Sequence, residues 1–156
     1  MWRLVFPHIL FFLPSELLRS PAMQAPSAGN QQPWEFYVIK NKETIRKLSE
    51  STPYSKCAAG APVVIVTVMR KNCRMPEYAE TDLSICMENM WLMTDSLGLG
   101  GVWLGIAPIE ERMKKIEEIV GLPEDVRAFG LFALGYPAES RPQQNRFDPD
   151  RIHWEE

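Results

Sequence analysis

The sequence predicts a single α+β or α/β domain with three or four strands, and three observations carry that reading. The run APVVIVTVM, Ala61–Met69, is continuously apolar between Gly60 and the charged RKNCR, the pattern of a strand buried on both faces. Two further runs, WEFYVIK (Trp34–Lys40) and RAFGLFAL (Arg127–Leu134), read as strands with helical patterns between them. The chain has 156 residues, 46% of them hydrophobic and 24% charged, which is enough for one core and leaves no linker to divide it.

The elements follow in order. SELLRSPAMQ, Ser15–Gln24, has a helical pattern that Pro21 should break or kink. The connection APSAGNQQPW, Ala25–Trp34, holds two prolines and a glycine among polar residues, more special chemistry than a plain helix-to-strand link requires. After the strand at Trp34–Lys40, Asn41 caps a short helix, KETIRKLSE, with Ile45 and Leu48 facing inward. TDLSICMENMWLMTDSL, Thr81–Leu97, reads as a helix capped by Thr81 and apolar around most of its circumference. One small domain cannot cover every side of such a helix, so a partner subunit is expected. Gly98 closes it, and GLGGVWLGI leads into a strand. Ile109–Val120 has one apolar stripe, Ile109, Met113, Ile116 and Val120, with Glu110/Lys114 and Glu111/Lys115 spaced to pair at i,i+4. Gly121 ends that helix, and Pro123 prevents its continuation. The last twenty residues are polar and aromatic-tipped, like an arm that lies on something.

Charge and composition exclude several function classes. A net charge of −3, with Lys and Arg scattered, provides no stripe for nucleic acid. Cys57, Cys73 and Cys86 form no CxxC, and His8 and His153 lie at opposite ends, so neither a disulfide framework nor a metal site is encoded. The apolar stretch Leu4–Leu13 is interrupted by Pro7 and His8 and is too short to span a bilayer, and no small-x-small cleavage site follows. It reads as a docking segment or an altered chain start.

The glycines Gly98, Gly100, Gly101 and Gly105 follow a helix and precede a strand, the reverse of the dinucleotide-binding order. Glycines leading into a strand still admit another group close to the backbone. Asp82, Glu88 and Asp95 sit on one expected helix at spacings that build no site by themselves. Asn89, among Met87, Met90 and Trp91, needs a partner if buried; a ligand and a dimer seam both meet that need. With no nucleophile or paired-carboxylate motif legible, an enzyme here must borrow its chemistry from a cofactor, and a flavin fits that requirement.

APSAGNQQPWEFYVIK, the helix followed by GLGGVWLG, and GLPEDVRAFGLFALGYP together resemble the FMN-dependent nitroreductase-like family, its short members in particular. The likeness runs in order from about Leu17 to Trp154, and RFDPDRIHWEE is similar to the family's C-terminal arm. The resemblance implies an α+β three-layer sandwich, with a central, mainly antiparallel sheet flanked by helices, in an interlocked homodimer with FMN at the subunit interface. It implies a cytoplasmic NAD(P)H oxidoreductase that takes NADH or NADPH and reduces a small nitroaromatic or quinone-type acceptor by ping-pong transfer. Catalytic side chains, metal, nucleic acid and membrane play no part in it. The cofactor-binding residues implied are Pro26, Ser27, Ala28 and Asn30, reaching the flavin of the partner subunit, Leu104 and Gly105 along the isoalloxazine, and Arg146 toward the phosphate.

One departure stands out. Family members begin with an Arg-x-Ser-x-Arg type helix that grips the phosphate, whereas this chain has MWRLVFPHILFFLPSELLRSPAMQ, so residues 1–24 read as a divergent N-terminal segment of the domain at 25–156. Charge-assisted phosphate contacts contribute about 1.5–3 kcal/mol each, so losing two weakens FMN by a few orders of magnitude. A dimer that has lost its cofactor grip is therefore the alternative expectation.

Overall fold

The computed structural model describes residues 21–139, 142 and 144–155. Among these residues four strands form one sheet: β1 (Trp34–Ile39), β2 (Val63–Arg70), β3 (Gly100–Gly105) and β4 (Val126–Gly135), in the order β1-β2-β4-β3. Every neighbouring pair is antiparallel, which resolves the class to α+β. Among the described residues, three α-helices cover the sheet: α1 (Lys42–Ser49), α2 (Ala79–Ser96) and α3 (Glu110–Val120). The expected helix at Ser15–Gln24 lies largely outside the described residues, as does the divergent N-terminal segment up to residue 20.

The period of β2 builds the three layers. Val63 and Ile65 face α2 and join Trp34, Leu83, Cys86, Met87, Met90, Phe132 and Leu134 in one core. Val64, Val66 and Val68 face the other way, onto Ile45, Leu48, Met113, Ile116, Leu131 and Ala133 beneath α1 and α3. An all-apolar strand is needed because both of its faces are covered. The register slips between Thr67 and Val68, whose partners are Gly130 and Ala128, leaving Phe129 as the extra residue of a bulge. The bulge turns Phe129 and Phe132 to the same core, and Phe129 O accepts from Ala107 N at 2.9 Å, fixing the chain just beyond β3.

Local signals account for most helix ends. Asn41 Oδ1 accepts from Glu43 N and Thr44 N, both at 3.0 Å, at the start of α1. Gly98, at φ 69°, lets its own N–H reach Asp95 O and that of Leu99 reach Thr94 O, the paired bonds of a Schellman end on α2. Gly121, at φ 71°, ends α3. Thr81 does not cap α2. The helix already begins at Ala79, entered directly from a 3-10 turn at Pro76–Tyr78 whose proline sets the first turn, and it has no side-chain cap.

Two expected side-chain pairings give way to tertiary partners. Glu110 meets Arg127 Nη2 at 2.8 Å, Glu117 meets Arg127 Nε at 2.9 Å, and Lys115 Nζ donates to Glu50 O at 3.2 Å. A guanidinium on β4 that is only 25% exposed gains more from two carboxylates than an exposed helix pair gains from i,i+4 spacing. On α2 and its C-cap the apolar residues divide: Leu83, Cys86, Met87 and Met90 are buried, whereas Trp91, Leu92 and Leu97 stand exposed.

Burial pushes the Cys86 thiol from an ordinary 9.0 up to about 12. The folded thiol therefore stays protonated at a pH where the unfolded one ionises. Below about pH 9 this costs nothing; between about 9 and about 12 the unfolded state is favoured progressively, by at most about 1.4 kcal/mol per pH unit. Urea unfolding of the wild type and Cys86→Ala, compared at neutral and alkaline pH, checks this. The alkaline loss should be smaller in the variant, and equal losses would refute the assignment.

Candidate functional site

The connection between Ala25 and Trp34 is a tightly tied loop. Its backbone is left-handed at Gly29 (φ 54°), Asn30 (φ 54°) and Gln32 (φ 48°), with a 3-10 turn at Ala28–Asn30. Glycine and asparagine take that conformation readily; glutamine does so at a cost of roughly 1–3 kcal/mol unless neighbours impose it. The neighbours here are specific. Arg70 Nη2 donates to Gln32 O at 2.6 Å and to Gln31 O at 3.1 Å, and Ser27 Oγ accepts from Gln32 N at 3.0 Å. Gln31 accepts from Met75 N at 2.8 Å, and its Nε2 donates to Met75 O at 3.0 Å and to Asp82 Oδ2 at 2.6 Å. Asp82 Oδ1 accepts from Ala28 N at 2.9 Å.

Of the sequence-predicted residues, Pro26, Ser27, Ala28 and Asn30 therefore lie together, on a loop tied to the start of α2 and the end of β2. Pro26 and Asn30 are exposed, and Ser27 and Ala28 are half-buried. Asn30 Oδ1 accepts from Gln32 Nε2 at 3.1 Å. Leu104 and Gly105 close β3, which is an edge strand with no partner on its outer side among the described residues. Leu104 is buried in the core beneath α1 and α3, while Gly105 is exposed and a Cβ built on it would meet nothing within 4 Å. Arg112 Nη1 donates to Gly105 O at 3.5 Å, and its guanidinium lies 5.7 Å from the Tyr54 ring centroid.

Arg146 is exposed on the C-terminal segment, its guanidinium held by Gln144 Oε1 at 2.8 and 3.2 Å. Among the described residues, no hydrogen bond joins it to the loop or to β3. The described residues thus present three separate pieces.

An open glycine backbone on a strand edge admits a flat ring against main-chain N–H and C=O groups, and a solvent-facing guanidinium suits a phosphate. Those donors fit a flavin nucleotide without any side chain reacting. Among the described residues, no group of three or more His, Cys, Asp or Glu side chains could hold a metal ion, and no helix is long and apolar enough to cross a membrane.

Comparison with known proteins bears on the whole chain. Residues 15–55 and 50–136 match the model of the nitroreductase family. The chain belongs to the nitroreductase family. This nitroreductase-family chain is 40% identical over 147 residues to a protein of Methanothermobacter thermautotrophicus designated an NADH dehydrogenase/NAD(P)H nitroreductase, covering 92% of this chain and 77% of that one. The crystal structure of a protein from Clostridium acetobutylicum designated an NADH oxidase superposes with a TM-score of 0.89 at 40% identity, covering 100% of this chain and 92% of that one. An FMN-dependent nitroreductase from Clostridium difficile has the same fold, with a TM-score of 0.85 at 24% identity over 100% of this chain and 91% of that one.

Two residues of the site escaped sequence reasoning. Asp82 was one of three helix carboxylates without a motif, yet it is 3% exposed and binds the loop. Its partners are 54 and 51 positions away, so no local spacing reveals them. Arg112 carries no signal in the sequence, and only its contact with Gly105 O sets it apart.

Proposed function

We propose that this nitroreductase-family chain is an FMN-dependent NAD(P)H oxidoreductase acting as a homodimer, with FMN at the subunit interface. The observation that carries this reading is the open space over Gly105 on the edge strand, in a nitroreductase-family chain whose 40%-identical relative is named for NAD(P)H-linked reduction. The FMN-dependent relative of the same fold supports the choice of cofactor.

What FMN supplies when bound is hydride transfer in two half-reactions, from NADH or NADPH and then to an electron-poor acceptor such as a nitroaromatic or quinone, in a ping-pong scheme. The residues of the chain bind and orient. The backbone at Leu104 and Gly105 would hold the ring edge, and Arg146 would turn its guanidinium fork to the phosphate. Pro26, Ser27, Ala28 and Asn30 would close the site from the other subunit and exclude water. Dimer formation is supported by Trp91 and Leu92, exposed on α2, by Leu97, exposed at its C-cap, and by Phe147 and Trp154, 75% and 85% exposed on the C-terminal segment. Three thiols without disulfides suit a reducing cytoplasm.

Purified protein should be yellow, saturate with FMN in a quenching titration and oxidise NADH or NADPH when a quinone or nitroaromatic is added. Colourless protein that shows neither saturable quenching nor activity with excess FMN would overturn the reading and favour a dimer without cofactor.

A further inference from the structure

We infer that Asp82 and Gln31 form a clamp that positions the cofactor-facing loop, making Asp82 a positioning residue for flavin binding; this rests on the function proposed above. Asp82 is 3% exposed, and its two oxygens are divided between two points of the loop, Ala28 N at 2.9 Å and Gln31 Nε2 at 2.6 Å. Among the described residues, no Lys, Arg or His stands within 4.0 Å of it. Burying a carboxylate has a cost that directed hydrogen bonds must offset. Both of these bonds come from the loop.

Gln31 is the second half of the device. Its amide forms a two-way bridge with the main chain of Met75, accepting from N at 2.8 Å and donating to O at 3.0 Å, and also reaches Asp82. The loop is thereby fixed at once to α2 and to the turn before it. The shape so fixed is one the chain would not keep alone, with Asn30 and Gln32 at positive φ beside Gly29. Those residues lie between Ala28 and Pro33, and Pro33 O is itself tied to Arg70 N at 2.9 Å. This held segment carries Asn30 exposed, with Pro26 exposed just before it, two of the residues that meet the flavin in the proposed reading. α2 also presents Trp91 and Leu92 outward, so the clamp ties the loop to the helix proposed to face the second subunit.

The test uses the full-length dimer and FMN itself. Asp82→Asn keeps an acceptor for Ala28 N but sets an NH2 group against the Gln31 amide. FMN Kd should rise about tenfold or more, the loss expected when a hydrogen bond to a charged group is removed, with altered visible circular dichroism of the bound flavin. The exchanged pair Asp82→Asn/Gln31→Glu restores a donor facing an acceptor between the two side chains while giving up the bond to Met75 O, and should recover part of the affinity and the spectrum relative to Asp82→Asn alone. Ile45→Val, in the core on the opposite face of the sheet, serves as a control that lowers Tm without touching the loop.

If Asp82→Asn binds FMN like the wild type, or if Ile45→Val weakens FMN as much at equal loss of Tm, the clamp is only structural and the inference falls while the proposed function stands. If the wild type does not bind FMN, both fall.

Discussion

Gly101→Ala is expected to disrupt the fold. A Cβ on Gly101 would lie 2.2 Å from Cζ, 2.8 Å from Cε1 and 3.1 Å from Cε2 of Phe132. That ring cannot swing aside as a flexible chain end would. Phe132 is fully buried, packs edge-on against Trp91 at 6.3 Å between centroids, and stands opposite Trp103 in the β3–β4 register. Inserting even one methyl group where no gap exists costs about 1–3 kcal/mol and more where the neighbours are rigid, against a total stability of roughly 5–15 kcal/mol. Urea unfolding should show a loss of at least about 3 kcal/mol, or the variant should fail to accumulate in soluble form. Adding Phe132→Leu to Gly101→Ala should return part of the loss, because the two substitutions meet in one space. Wild-type stability in the single variant would refute the packing described.

Gly105→Val, four residues along the same strand, should have the opposite profile. A Cβ there meets nothing within 4 Å, and valine is at home in a strand, so Tm should stay close to that of the wild type. The branched side chain would, however, occupy the space in which a flat ring must reach the main chain of β3. FMN affinity should fall by about 100-fold, equivalent to about 2.7 kcal/mol, and NAD(P)H oxidation at limiting FMN should fall with it. A differential scan with an FMN titration reads both quantities on one preparation. Unchanged affinity would remove the end of β3 from the cofactor site. Together, the two variants separate a glycine required by packing from a glycine required by a ligand.

The difference between these glycines was not legible in GLGGVWLG, where both are simply glycines near a strand. Residue type specifies what the backbone may do, and only the facing layer tells whether space beside it is filled. The same holds for Asp82. Its carboxylate had the spacing of an ordinary helix-surface charge, and its burial follows from the loop folding back over the first turn of α2. Thr81 looked like a cap because threonine often is one, but the proline-led turn at Pro76–Tyr78 had already started the helix.

What the sequence determined by itself was the local and periodic part of this protein. The strand at Trp34–Ile39, the capped helix Lys42–Ser49, the doubly buried strand Val63–Arg70, and the ends of two helices at Gly98 and Gly121 all follow from propensity, capping and apolar period over a few neighbouring residues. The quoted loop and strand segments were distinctive enough to indicate the family. The tertiary structure decided which partner each polar group found: Arg127 with Glu110 and Glu117 across an element boundary, and Asp82 with a loop more than fifty residues away. The physical reason is range. Helix and strand formation are settled by contacts within a turn or two of chain, whereas a buried charge or a filled space is settled by whichever distant segment the sheet order brings against it.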